Sequence, residues 1–307
     1  MTDFKSLAAS LTKPSCNSIE PLRGAITPDN HGFSMPSAGP VFPDDPVWHF
    51  DDVDTVMIDY ISDAAKVAES LPADATTIPI PDLPGYSMMK VIWNNMRDSS
   101  MMDYYETLVC VPCLIDGQPI FYVPYIYVTN DSAMAAGREA AGFPKKIADI
   151  SIDRFGDRVD TYVQRGEREI DRMRISGTGR IGEELFSTPV PAGQNVALPF
   201  PYNVTLPLPP NDTEALTSIP LPTLTWRFLR DVGFDKPAPV MSQLVAAMWL
   251  CDGTTYKLED VSISLRSAKN DPMDMFPVLG LLGGTFMHSN IRLPLREMKI
   301  VRDHIKG

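Results

Sequence analysis

The chain has 307 residues, 44% hydrophobic and 21% charged, which is the composition of a folded globular protein and not of a disordered one. Its formal charge of −12 repels phosphate backbones, and no Lys/Arg run offsets it locally, so nucleic acid is excluded as a partner. No apolar stretch approaches the ~18 residues of a membrane span. The start, MTDFKSLAAS, lacks a charged segment followed by an apolar run, so the expectation is a cytoplasmic protein without a signal peptide.

Proline occupies 29 positions, roughly twice the usual ~5%. It breaks helices and cannot donate to a ladder, so the chain should be rich in strands and ordered loops. Residues 1–45 are polar and proline-rich without a sustained period. They read as an N-terminal arm, laid over the body or free as a tail, and the body as a single domain over residues 46–307. Ser62–Leu71 predicts a short helix capped by Ser62 or Asp63 and stopped before Pro72.

A hairpin follows. Glu106–Ile115 and Pro119–Thr129 flank Asp116-Gly117, a strong two-residue turn signal. With that loop, opposite residues sum to 233, so Glu106 should face Tyr127 across the pair. Cys110 and Cys113 have CxxC spacing, but no second ligand pair accompanies them. Core packing is the main reading, with redox or metal chemistry the alternative. Asn130 or Asp131 should cap a helix through Ala141, ended by Gly142 and Pro144. Strand-like runs follow at Ile147–Ile152, Asp160–Gln164, Glu167–Ile175, Leu224–Phe228, Pro239–Trp249 and Val261–Ser264, then a helix over Leu295–Ile305. The fold class is mainly β: an antiparallel, barrel-like β domain with a few short flanking helices.

Chemistry concentrates in Thr129–Ile147, where Phe143-Pro144-Lys145-Lys146 follows the helix terminator. A free lysine, with pKa ~10.4, is almost wholly charged at neutral pH. A second ammonium nearby, or burial, disfavours that charge and frees the nucleophilic amine. A Lys-Lys pair alone is an ordinary surface feature, and adjacent strand residues point to opposite faces.

The string G137-R-E-A-A-G-F-P-K-K-I147 resembles the signature of the acetoacetate decarboxylase family. Tyr104-Tyr105-Glu106, ending 39 residues before Lys145, resembles an upstream element of that family, and the run from Phe276 resembles its closing strand and helix. The resemblance implies an enzyme in which Lys145 forms a Schiff base, Lys146 depresses its pKa and Glu106 is the pocket carboxylate. Phe143 and Tyr127 would bind substrate, though plain core is an equal reading of both. Lysine activation by desolvation or a cationic neighbour is how acetoacetate decarboxylase itself is generally explained. No metal or organic cofactor is implied; the partner is a small keto acid or ketone, and the family's habit is the homo-oligomer. The implied reaction is decarboxylation of a β-keto acid to a ketone and CO2. The alternatives are a Schiff-base aldolase or dehydratase on a pyruvate-like acid, or a binding protein without turnover. In the family an arginine near the start of the body binds the substrate carboxylate, but Phe50–Tyr60 holds four aspartates and no arginine. A second pocket glutamate, expected near Val91, is also missing. Weak action on acetoacetate and preference for a larger substrate follow as expectations.

Overall fold

The computed structural model describes residues 41–190, 217–231 and 238–306, together with Arg23, Pro36, Gly39 and Pro40. Most of the arm over 1–45 lies outside the described residues. Its last part does not stand off the body: Phe42 is buried and meets Trp48 edge-on, with ring centroids 6.1 Å apart.

The protein is built mainly from β-strands. In chain order they are β1 (Val47–Asp63), β2 (Ala75–Thr77), β3 (Tyr86–Met96), β4 (Tyr104–Ile115), β5 (Gln118–Val128), β6 (Lys145–Ile147), β7 (Asp149–Phe155), β8 (Arg158–Arg165), β9 (Met173–Ser187), β10 (Ile219–Arg230), β11 (Pro239–Arg266), β12 (Gly280–Pro294) and β13 (Lys299–Asp303). Among the described residues two short α-helices interrupt them, α1 (Ala64–Ala68) and α2 (Asp131–Ala136).

The pairing β10-β5-β4-β3-β1-β12-β11 closes on itself because β11 also pairs β10. The long β11 makes this possible: residues 239–251 lie along β10, 250–258 along β12, and 254–266 along β9, which with β8 and β7 forms a flap. Side-chain alternation divides the ring strands into two faces. Val56, Ile58 and Tyr60 of β1, Val91 and Trp93 of β3, and Val109 and Val111 of β4 pack into one core with Ile150, Val159, Val163 and Ile175 from the flap. The opposite faces of the same strands, including Thr55, Met57, Lys90, Ile92, Asn94, Glu106 and Leu108, wall a cavity.

Several local expectations hold. Asp63 caps α1, accepting from Ala65 N and Lys66 N at 2.9 and 3.0 Å. Asn130 caps α2 through Ala133 N at 2.7 Å. Asp116 and Gly117 take φ 51° and 75°, the pair of positive values that a type I′ hairpin needs.

Other expectations are corrected. The helix predicted from Ser62 shrinks to one turn, since Ser62 and Asp63 still pair with Ser87 and Tyr86. Pro239–Trp249 and Val261–Ser264 are two parts of one strand, β11. The segment from Glu167 turns as a short 3-10 helix, and its strand begins only at Met173. The helix predicted over Leu295–Ile305 is a single 3-10 turn, Leu295–Glu297, followed by β13. Its backbone groups find partners on β11, where Gln243 to Ala246 face Asp303 to Lys299. Tertiary pairing overrides local propensity there.

The 4–5 hairpin departs from simple counting in a way that matters for the site. From Ile115↔Gln118 to Val111↔Tyr122 the pairs sum to 233, but Val109 faces Tyr125 and Glu106 faces Val128. Val123 and Pro124 together stand opposite Cys110, a bulge at a residue that has no N–H for the ladder. Glu106 and Tyr127 therefore lie on opposite faces of the sheet.

Gly142 ends the helical segment at φ 74°, and a Cβ there would stand 2.6 Å from the Arg227 Cα. Gly142→Ala is expected to destabilise the fold by at least ~1–2 kcal/mol, the cost of a side chain in the left-handed region, and thermal unfolding should show a Tm lower by a few degrees.

Candidate active site

Lys145 reaches its place by three local devices. After α2, Gly137–Ala141 form one π-helical turn, and Gly142 reverses the chain. The segment then runs parallel to β5, with Ile126 beside Lys145 and Tyr127 beside Lys146. Arg138 Nη1 donates to the Lys145 carbonyl at 3.2 Å and fixes that strand from behind. A Cβ on Gly137 would come within 2.6 Å of Lys145 Cδ and Cε, so the bare backbone of Gly137 is the bed of the lysine side chain.

The Lys145 ammonium is buried, and its Nζ lies 2.7 Å from Glu106 Oε2, on a carboxylate that is 1% exposed. The rings of Tyr104 and Phe143 stand 5.6 and 5.9 Å from Nζ and exclude water. Burial, with the nearby Glu106 charge, holds the Tyr104 phenol well above its ordinary pKa. Phe143 packs edge-on to Trp249, with centroids 5.9 Å apart.

The cavity beyond Glu106 has a volume of about 80 Å³. Glu106 and Trp249 belong to its wall; Lys145 contacts the first and Phe143 the second. One rung of the sheet crosses the wall from Thr255 through Met287, Thr55 and Asn94 to Glu106. Within it Thr55 Oγ1 donates to Asn94 Oδ1 at 2.8 Å. Further along the strands Lys90 also lines the cavity, paired with buried Asp59 at 2.7 Å. This is the place where the resemblance leads one to expect an arginine and a glutamate. The signs are exchanged: the strand expected to bring the cation supplies Asp59, and its neighbour supplies Lys90. The cavity has its own buried cation, on the strand adjacent to Phe50–Tyr60. A lysine inside an otherwise apolar strand, M-M-K-V-I-W, is the sequence signal that marks it.

Lys146 and Tyr127 lie elsewhere. Consecutive strand residues alternate, so the Lys146 ammonium points to the opposite face from Lys145. It donates to Asp271 Oδ1 and to the Asn270 carbonyl, both at 2.7 Å. Tyr127 is fully buried in the flap-side core, and its hydroxyl donates to the same Asp271 at 2.9 Å. Arg165 Nη1 completes the cluster at 3.1 Å. Lys146 is thus answered by a carboxylate and does not present its charge toward Lys145. The structure brings Lys145, Glu106 and Phe143 together and separates Lys146 and Tyr127 from them. Cys110 faces the cavity and Cys113 the flap-side core; both are free, and burial pushes their thiols up to about 12 and about 11. Neither thiol has the thiolate character that redox chemistry needs.

A family model described as acetoacetate decarboxylase (ADC) matches residues 34–305. The chain belongs to the acetoacetate decarboxylase family. It is 30% identical over 159 residues to an acetoacetate decarboxylase of Acidiphilium cryptum, a match covering 52% of this chain and 59% of that protein. The matched segments span about half the length of the curated relatives. A solved structure from structural studies of acetoacetate decarboxylase superposes with TM-score 0.71 at 18% identity, covering 91% of this chain and 100% of that one. The enduracididine biosynthesis enzyme MppR, complexed with the condensation product of pyruvate and imidazole 4-carboxaldehyde, superposes with TM-score 0.62 at 16% identity, covering 89% and 97%. At these identities the superpositions establish the β-rich fold.

Two substitutions separate the lysines. Gly137→Ala is expected to keep the fold, because only the flexible Lys145 stem must move, but to lower the yield of any borohydride-trapped adduct at Lys145 by ~10-fold or more, as a misplacement of about 1 Å can do. Lys146→Met is expected to lower Tm and leave the pH dependence of trapping where it is; an alkaline displacement of that profile would restore Lys146 to the role of charged neighbour.

Proposed function

We propose that this protein is a Schiff-base lyase that decarboxylates a β-keto acid to a ketone and CO2, with Lys145 as the nucleophilic amine. The observation that carries this reading is the buried Lys145 amine, held 2.7 Å from Glu106, a residue of the wall of a largely apolar cavity. Structural stability does not account for such a pair. Burying both charges costs several kcal/mol, and apolar replacements are often at least as stable.

At this distance Glu106 can take the ammonium proton and release a neutral amine without water. The amine attacks the substrate carbonyl, and the carbinolamine loses water to a protonated imine. The bond from the α-carbon to the carboxylate breaks, CO2 leaves, and the electron pair enters the iminium to give an enamine. Protonation at carbon, with Glu106 as the nearest proton donor, and hydrolysis return the amine and release the ketone. Tyr104 and Phe143 keep bulk water from the intermediate.

A second reading, aldol or dehydratase chemistry on a pyruvate-like acid, uses the same amine and the same enamine without loss of CO2. It is favoured by the exchanged Asp59–Lys90 pair, which removes the arginine expected of a decarboxylase, and by the structural likeness to MppR. We read the working partner as a small keto acid in either case.

Borohydride reduction in the presence of a keto-acid panel, followed by peptide mapping, should place the adduct on Lys145. Lys145→Arg should abolish it, since arginine cannot become a neutral nucleophile. An adduct that persists in that variant, or that maps to Lys90, sinks the assignment. Release of CO2 during turnover separates decarboxylation from the aldol reading.

A further inference from the structure

The cavity wall carries one donor and one acceptor that no protein group answers. Asn94 is only 6% exposed and lines the cavity. Its Oδ1 accepts from Thr55 Oγ1 at 2.8 Å. Its Nδ2 has no hydrogen-bond partner among the described residues, yet that atom is not sealed from water. Since the rest of the residue is buried, the surface left to Nδ2 belongs to the cavity. Glu106 repeats the pattern. Its Oε2 is sealed against Lys145, and Oε1, without a hydrogen bond among the described residues, keeps surface.

The strands set these two atoms side by side. β3 runs between β1 and β4, and Asn94 stands opposite Thr55 on one side and opposite Glu106 on the other. Directly opposed side chains on one face of a sheet have Cβ atoms ~4.5–5.5 Å apart. The oxygen and nitrogen of an amide point apart from one carbon. With Oδ1 held on the β1 side, Nδ2 turns from β1 toward Glu106 and the cavity. The reverse orientation would set the amide oxygen against the Glu106 carboxylate, two acceptors with no proton between them. No hydrogen bond joins Asn94 to Glu106 among the described residues, so the pair is open to an atom that accepts from the first and exchanges a proton with the second. Ile92 and Leu108, next along the same two strands, offer such an atom nothing but apolar surface. In such surroundings an aimed dipole counts for more than it does in water.

A ketone oxygen is an atom of this kind. We propose that Asn94 donates from Nδ2 to the carbonyl oxygen of the substrate, with Thr55 as the positioning residue that aims the amide. This rests on Lys145 being the amine that attacks the carbonyl, and it serves the decarboxylase and aldol readings alike, because both pass through a carbinolamine. Glu106 first takes a proton from the ammonium. As the Lys145 nitrogen bonds to the carbonyl carbon, the π electrons move onto oxygen, where the Asn94 N–H stabilises the growing negative charge. Glu106 gives its proton to that oxygen, takes one from the nitrogen and delivers it to the hydroxyl, which leaves as water with the C–O electron pair. The products are the protonated imine, water and the Glu106 carboxylate.

The test uses two readouts on the full chain. Rapid-quench borohydride trapping with acetoacetate and with pyruvate gives the rate of imine formation at saturating keto acid. Asn94→Leu should lower that rate ~100-fold, the usual loss for one oxyanion donor, with a much smaller change in the half-saturating concentration. Asn94→Leu/Thr55→Val leaves neither partner buried and unsatisfied; it should show the same loss and guards against a folding defect. Thr55→Val should slow the step about tenfold through a misaimed amide, and Thr55→Ser, which keeps the hydroxyl, should restore most of the rate. In Lys145→Met no imine forms. Infrared difference spectra of the same keto acids, isotopically labelled at the ketone carbon, should there show a bound carbonyl band displaced to lower frequency, and Lys145→Met/Asn94→Leu should lose the displacement. A displacement that depends on Asn94, without any adduct at Lys145 in the wild type, would overturn the imine reading and leave the donor standing. Adducts that form as fast in Asn94→Leu as in the wild type, or a displacement that is absent or survives that substitution, would overturn the donor.

Discussion

An ammonium and a carboxylate held 2.7 Å apart, with almost no access to water, organise this protein: Lys145 and Glu106. Neither group can be buried alone, because an unpaired charge in the interior costs far more than any one side chain returns. The strands must therefore deliver both to the same point from distant parts of the chain. β4 brings Glu106 from the hairpin, and β6 brings Lys145 from beyond the helical turn, with β5 between them as common neighbour. The π-turn, the left-handed Gly142 and the bare Gly137 are the local arrangements that let β6 arrive with its first side chain pointing inward.

The same alternation that hides one face of each ring strand against the flap exposes the other to the cavity. Aliphatic and aromatic side chains fill the flap side. The cavity side mixes Met, Ile and Leu with Thr55, Asn94, Glu106 and Lys90. Polar side chains on a buried face are costly unless paired, and pairing is what most of them show: Thr55 with Asn94, Lys90 with Asp59, Glu106 with Lys145. The bulge at Val123–Pro124 preserves this division, because without it the second half of β5 would turn Tyr127 toward the cavity and Ile126 away.

Lys145 and Lys146 show how one step along a strand changes a residue's task. Lys145 enters a dry enclosure of aromatic rings and a single carboxylate. Lys146, half-buried on the other face, joins Arg165 and Tyr127 around Asp271 and ties β6 to the loop before β12. The second lysine of the pair holds β6 to Asp271. Its charge is spent on Asp271.

Much of this was legible in the residues alone. The Asp-Gly turn, the Asn130 cap and the stop at Gly142 are short-range matters of sterics and hydrogen bonding, and they read correctly from the sequence. The string from Gly137 to Ile147 carried the family and singled out Lys145, and the proline content excluded long helices. The decisive geometry was not legible, because it depends on register between strands far apart in the chain. A one-residue bulge separated Glu106 from Tyr127, alternation turned Lys146 away from Lys145, and the open edge of β11 drew Lys299–Asp303 out of its expected helix. Asp59 and Lys90 are 31 residues apart, and each looks like an isolated charge until β1 and β3 are aligned. Local chemistry determined which residues carry ionisable groups; only long-range pairing decided which of them are buried together, since the cost of burying a charge is settled by partners that the strand itself does not contain.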